Sequence, residues 1–434
     1  MSFPKYLEYQ DTGIAWIGQV PAHWTLYPLF AVLRERDERN TGNFESNVLS
    51  LSYGRIIRRD VESNHGLLPE SFETYQVVNP SNMVLRLTDL QNDQRSLRVG
   101  MAPERGIITS AYVCLEATSK IDKTFAYQLL NMYDLHKVFY GLGGGVRQSM
   151  GFEDLKRLPI FLPPLAEQRA IAAFLDAETA RIDALVAKQQ ALITTLQEKR
   201  RALISHVVTK GLDASAPMKD SGVPWLGAVP AHWEVVRFRH CCDITEGQID
   251  PKDEHFNERI LIAPNHVEPG TGRILYTETA TEQGAISGKY LVRLGEIIYS
   301  KIRPALNKVC LSQGDWLCSA DMYPIQVRSD LINEYLFYFL LSDPFVSLMI
   351  EESMRVAMPK INRETLTDCP IPVPPMDEQT AAVIYISQET AAIDTLIAKA
   401  QAFIVLSREH RTALIAAAVT GQIDVRGYRM EARP

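Results

Sequence analysis

The 434-residue chain is short of the signatures that usually mark a catalyst. It has no H-E-x-x-H, which would set two histidines on one helix face for zinc, and no G-x-S-x-G nucleophile turn. Gly141-Leu142-Gly143-Gly144-Gly145 is not followed by Lys-Ser or Lys-Thr, so it reads as a flexible loop rather than a phosphate cradle. Asn79-Pro80-Ser81-Asn82 lacks the second proline and the aromatic of an amino-methyltransferase motif. The six cysteines form no C-x-x-C pair, and adjacent Cys241 and Cys242 suit neither a disulfide framework nor a zinc site. No catalytic residue, metal ligand or resident cofactor is therefore expected. No uninterrupted apolar run of membrane length occurs, and Met1–Tyr6 lacks a signal-peptide core, so the plain expectation is a reduced, cytoplasmic setting without membrane contact. Basic charge is also scarce. The net charge is −7, and residues 214–370 carry 15 basic against 21 acidic side chains, so any nucleic-acid face there must be a local patch.

What the chain does have is a second copy of itself. Gly13-Ile14-Ala15-Trp16-Ile17-Gly18 and Pro21-Ala22-His23-Trp24 return 209 residues later as Gly222-Val223-Pro224-Trp225-Leu226-Gly227 and Pro230-Ala231-His232-Trp233. Leu162-Pro163-Pro164-Leu165-Ala166-Glu167-Gln168 returns 211 residues later as Val373-Pro374-Pro375-Met376-Asp377-Glu378-Gln379. The residues between these motifs differ greatly. No carboxylate or cysteine is apparent in sequence as a partner of His23 or His232, so both read as packing beside a tryptophan.

Each P-P-x-x-E-Q motif opens a long stretch free of proline and glycine. Prolines end the preceding segment, and the glutamate complements the helix N-terminus. Apolar heptads predict a seam of Leu175, Ile182, Leu185, Leu192, Leu196 and Leu203 on the first helix. On the second it comprises Ile386, Ile393, Leu396, Phe403 and Leu414. Each helix extends about 60–65 Å. Two such helices most simply pack on each other, with Glu178, Gln189, Glu389 and Ser407 setting register or facing another protein. The alternative, each helix packing on its own domain alone, leaves much of it uncovered. Gly211 and Gly421 fit C-terminal caps.

The blocks before the helices mix short β-branched runs with a helical stretch, near Thr124–Phe139 and Ile332–Met349, which predicts α+β domains. The chain thus divides into 1–160, 161–213, 214–370 and 371–434: globular, helical, globular, helical. Long hydrogen-bond donors cluster in loop-like stretches. In the first block they are Tyr53, Arg55, Arg58, Arg59, Arg86, Asn92, Gln94 and Arg95, with Arg147, Gln148 and Ser149 before the P-P motif. In the second they are Asn265, His266, Lys301, Arg303, Asn307 and Lys308, with Arg355 and Lys360 before the motif. Bidentate arginines can read guanine, and Asn or Gln can read adenine, in a major groove. A solvated polar face is the bland alternative.

The W-(I/L)-G-x-V-P-x-H-W opening, the P-P-x-x-E-Q motif with its long helix, and the duplicated plan together resemble the specificity subunit of Type I restriction–modification systems over essentially the whole chain. The resemblance implies two target-recognition domains joined by two long helices paired as an antiparallel coiled coil, with a pseudo-twofold axis. It implies that each domain reads one half of an asymmetric, bipartite double-stranded DNA target, in a phage-defence system. It further implies a non-catalytic subunit that docks two modification subunits using S-adenosylmethionine and two restriction subunits using ATP and Mg²⁺. A helix of about 60 Å can span reading heads one DNA turn, about 34–36 Å, apart. A protein–protein adaptor with two variable polypeptide-binding domains is the competing expectation.

Overall fold

A computed structural model describes residues 3–60, 71–90, 93, 96–142, 150–328, 330–354 and 359–428. Contacts divide the chain into two units: residues 1–189 with 402–434, and residues 190–401. Both units are α+β.

The first unit is built on an antiparallel sheet of four strands, ordered Leu33–Glu35, Val113–Ala117, Met83–Leu85, Val99–Met101. Helix Lys123–Leu135 buries Phe125, Leu129, Leu130 and Tyr133. It starts at Asp122, whose carboxylate accepts from the Thr124 and Phe125 amides, satisfying two orphan donors of the first turn. Strand Thr25–Pro28 pairs with Pro159–Leu162, which delivers the chain to the P-P motif. The apolar run Ile107–Leu115 is broken into two strands, Gly106–Ile108 and Val113–Ala117, by the turn between them.

The second unit repeats the plan. Its four-stranded sheet runs Cys242–Ile244, Met322–Val327, Ile297–Ser300, Val309–Leu311. Strand Glu234–Arg237 pairs with Pro370–Val373. The helical stretch expected at Ile332–Met349 is two helices, Asn333–Leu341 and Asp343–Ser353, because Ser342 is extended and Pro344 lacks the amide needed to continue. The units part company in their insertions. The first carries a hairpin, Leu49–Ser52 with Arg55–Arg58. The second carries a three-stranded sheet of Leu261–Ile262, Trp316–Cys318 and Tyr290–Val292.

The long helices are Leu165–Lys210 and Met376–Val419, of 46 and 44 residues, and each contributes to both units. In the first unit the start of one packs with the end of the other: Phe174, Leu175 and Ile182 share a core with Leu414, Ile415, Ala418 and Val419, and Arg411 pairs with Asp183. In the second unit the relation is reciprocal, with Ile204, Val207 and Val208 sharing a core with Ala382 and Ile386, and Arg200 paired with Asp394. The pairing is antiparallel.

The seam differs from expectation by one residue at alternate positions. Leu175, Ile182, Leu196, Ile386, Ile393 and Leu414 are buried as expected, and Leu203 is half-buried. Leu185, Leu192, Leu396 and Phe403 instead lie 37–49% exposed. The second track is Thr179, Val186, Ile193, Arg200, Val207 on one helix and Thr390, Ile397, Ile404, Arg411, Ala418 on the other, buried except for half-buried Val186, Ile397 and Arg411. The stripe therefore steps by four and then three, not three and then four. Its two threonines are satisfied locally: Thr179 and Thr390 donate to the carbonyls of Leu175 and Ile386 at 2.7 Å. The second long helix is apolar enough by composition to pass for a membrane span, which a search for uninterrupted runs does not detect.

Candidate nucleic-acid interface

The frame that carries the loops is a pair of carboxylate clamps, and it corrects the reading of the repeated histidines. Glu167 accepts from Trp24 Nε1 at 3.0 Å and Tyr6 Oη at 2.7 Å, and bonds His23 Nε2 at 2.8 Å. Glu378 accepts from Trp233 Nε1 at 2.8 Å and bonds His232 Nε2 at 2.7 Å. The partners are the two repeated motifs themselves, about 145 residues apart in each copy, which local spacing does not reveal. The neighbouring glutamines act equally. Gln168 accepts from the Asp122 amide and donates to the carbonyls of Lys120 and Pro163; Gln379 accepts from the Ile332 amide and donates to those of Asp330 and Pro374. Each E-Q dipeptide thus ties the start of a long helix to its domain's opening motif and to the entry of its domain helix.

In the first unit Arg55–Arg58 is a strand rather than a loop. Tyr53 and Gly54 both adopt positive φ, 46° and 78°, the two-residue turn whose twist suits a hairpin. Alternation buries Ile56 and exposes Arg55 and Ile57, and Tyr53 in the turn and Arg58 at the strand end are exposed as well. Arg58 grips Glu104 through Nε and Nη2. The hydrogen bond from Arg58 holds the Glu104 carboxyl below the ordinary glutamate range. Arg59 and Arg86 are half-buried. Asn92, Gln94, Arg95, Arg147, Gln148 and Ser149 lie outside the described residues.

One residue organises this surface from beneath. Arg98 is fully buried, and its guanidinium donates to the carbonyls of Thr88 at 2.7 Å, Asp89 at 3.2 Å and Asp93, and to Tyr140 Oη at 3.3 Å. Its amide donates to Asp134 Oδ2 at 2.5 Å, and burial raises the Asp134 carboxyl. The carbonyls of Thr88, Asp89 and Asp93 are thereby gathered on one buried cation. Its position between polar Ser96 and apolar Val99 gave no hint of burial.

In the second unit the cations converge differently. Ile302 bridges to Lys360, Arg303 N donates to Pro359 O, and Ile361 N donates to Lys301 O, so Lys301, Arg303 and Lys360 come from one pair of adjacent segments. Arg303 and Asn307 take left-handed φ of 48° and 40° on either side of the Pro304–Leu306 turn. Lys301 Nζ and the Arg363 guanidinium lie 5.3 and 5.5 Å from the Tyr323 ring centroid. Three expected readers are instead structural. His266 is fully buried, its Nδ1 accepting from the Ala263 amide and its Nε2 bonded to Glu278 at 3.1 Å, which fixes a neutral tautomer. Asn307 is buried, and Lys308 Nζ donates to Pro264 O. Asn265 is exposed and donates to Tyr276 Oη at 2.8 Å. Arg355 lies outside the described residues. All six cysteines are buried and unpaired, with the Cys114, Cys310 and Cys369 thiols pushed up to about 12 by burial.

The family model for the Type I restriction modification DNA specificity domain matches residues 98–195 and 230–402, more than half the chain and one match per copy. The chain is 32% identical over 258 residues to the EcoDI Type I restriction enzyme specificity subunit of Escherichia coli, covering 56% of this chain and 57% of that protein. It is 26% identical over 308 residues to the MjaVIII specificity subunit of Methanocaldococcus jannaschii, covering 68% of this chain and 69% of that one. Its fold resembles a chain solved in a study of complex assembly and conformational transition of the type I R-M system (TM-score 0.68, 15% identity, 92% and 98% of the two chains covered). It also resembles the HsdS subunit from Thermoanaerobacter tengcongensis (TM-score 0.50, 16% identity, 93% and 98% covered). With the duplicated frame, these matches make the chain a member of the Type I restriction–modification DNA specificity family.

Proposed function

We propose that this chain is the non-catalytic, sequence-reading subunit of a Type I restriction–modification assembly, each unit reading one half of a bipartite double-stranded DNA target. The observation that carries the reading is the contrast between a frame built twice alike and reading surfaces built differently. Glu167-Gln168 and Glu378-Gln379 make matching bonds in the two units. The cations those frames support sit on a hairpin in one unit and on a left-handed turn in the other. Reading two unlike words calls for that combination.

The same assembly requires partners. Ile384, Leu396, Phe403, Val405 and Leu406 on the second long helix are 40–65% exposed, apolar surface that such partners would cover. Modification subunits would carry S-adenosylmethionine, and restriction subunits ATP and Mg²⁺; this chain contributes recognition and scaffolding. Methylome sequencing of a host carrying the intact system tests the reading. The expected outcome is methylation at a two-part motif with an unspecified spacer, and exchange of residues 25–160 alone should change one part only. Methylation without a bipartite motif would overturn it.

A further inference from the structure

The two carboxylate clamps differ by one donor, and the missing donor leaves a recess. In the first unit, Glu167 is completed by the phenol of Tyr6, and its side chain is 5% exposed. In the second unit, Glu378 is 40% exposed. The hairpin registers are equivalent, Tyr9 facing Pro21 and Met218 facing Pro230, so Ser215 is the register counterpart of Tyr6, placed in an exposed turn. Ser215 cannot reach the carboxylate, and its hydroxyl is bonded to Asp213 at 2.6 Å. Beside it is a cavity of about 240 Å³ with Glu378, Asp213, Lys210 and His232 in its wall and Trp233 and Ala382 among its apolar lining.

The surface beside it is bare in the same sense. Phe174 is covered by Phe3 at 5.2 Å and Tyr428 at 4.7 Å between ring centroids, and is 1% exposed. The corresponding Tyr385 is 40% exposed, and Ile384 beside it 53%. Where the first helix has Ile171, the second has Ala382, which deepens the recess. One unit thus covers this corner with aromatic side chains from its own flanking segments, and the other does not.

We propose that the Glu378 recess is a docking site for a tyrosine carried on an extended segment of a partner polypeptide, with an aromatic residue about three positions before it. The first unit shows the occupant: Phe3 and Tyr6 on a segment outside the regular elements, the phenol donating to the carboxylate. Apolar walls beside the half-open Glu378 carboxylate suit a phenol, whose ring is apolar and whose tip is a donor. The inference is independent of DNA reading, because no cation of the reading surfaces lines the recess.

The test uses the full chain and a fluorescent peptide with the sequence of residues 3–10, followed by anisotropy without DNA. Saturable binding is expected, weakened about tenfold by Tyr6→Phe in the peptide, which removes a hydrogen bond to a charged group. Ser215→Tyr in the chain should fill the recess from within, abolish peptide binding and raise the melting temperature, while Glu378→Gln should weaken binding without filling the cavity. Equal binding to the parent chain and to Ser215→Tyr would place the peptide elsewhere, displacement of the chain's own Tyr6 included, and would overturn the proposal. So would peptide-independent dimerisation that Ser215→Tyr abolishes, since the occupant would then be a second copy. Equal binding of the Tyr and Phe peptides would reject the phenol–carboxylate pairing.

Discussion

Glu167 and Glu378 hold the same place in two units, yet one is sealed by three donors and the other stands open with two. The two surfaces proposed to read DNA differ in a comparable way, one resting on a buried arginine and the other on a left-handed turn bonded to Pro359. Duplication has preserved the bonds that orient helix against domain, while the surfaces meant to be different have been rebuilt down to their supports. A frame shared in kind need not be shared in strength.

The largest expected effect separates the two clamps. Glu167→Ala leaves the Trp24, His23 and Tyr6 donors without their acceptor and should cost the first unit about 3–5 kcal/mol. Glu378→Ala, with a more exposed carboxylate, should cost about 1–2 kcal/mol. Urea unfolding followed by hydrogen exchange in each unit would read both; equal losses would erase the asymmetry. Arg98→Met should follow in size, about 2–3 kcal/mol, because three carbonyls and Tyr140 lose a charged donor. Exchange should accelerate at the described residues between 86 and 98, and recognition of the first half-site should degrade while the second is unchanged.

Smaller effects sharpen the contrast between the readers. Arg55→Ala should relax one half-site by about 1–3 kcal/mol, and Arg303→Ala the other, measured as binding to targets altered in a single half. Either variant affecting both halves equally would mean a phosphate contact rather than reading. The smallest concerns Arg58. Glu104→Gln frees its guanidinium, so DNA affinity should rise a few-fold and the salt dependence steepen by about one ion. Because Arg58 lowers the Glu104 pKa, the carboxylate's contribution is complete above the ordinary glutamate value and fades only as pH falls through the lowered one. The difference between parent and variant should therefore stay constant from pH 8 to about pH 5.

Much of the architecture was legible because it was written twice: two α+β blocks, two long helices, and the motifs that join them. The seam was half legible. Leucines and a phenylalanine at 185, 192, 396 and 403 suggest a three-then-four step, but burial follows Thr179, Arg200 and Thr390, whose polarity hides them from an apolar count. Arg200 is accommodated because Asp394 and the carbonyls of Gly270 and Thr271 surround its guanidinium. The clamps were not legible as pairs, since each histidine meets its glutamate across a whole domain. Among the expected readers, Arg55, Arg303 and Lys360 are exposed, whereas His266, Asn307 and Lys308 look like donors in sequence and serve as supports in three dimensions. Residue type reveals capacity to bond; only topology decides to what.

Leu414, Ile415, Ala418, Val419 and Val425 belong to the core of the first unit, whereas everything in the second lies between residues 190 and 401. Synthesis and folding therefore run in opposite orders. The domain that leaves the ribosome first must wait, its hydrophobic face incomplete, until more than two hundred further residues have been made. The later domain can close in the meantime. A chain that stopped just past residue 401 would hold the whole second unit and lack part of the first unit's core.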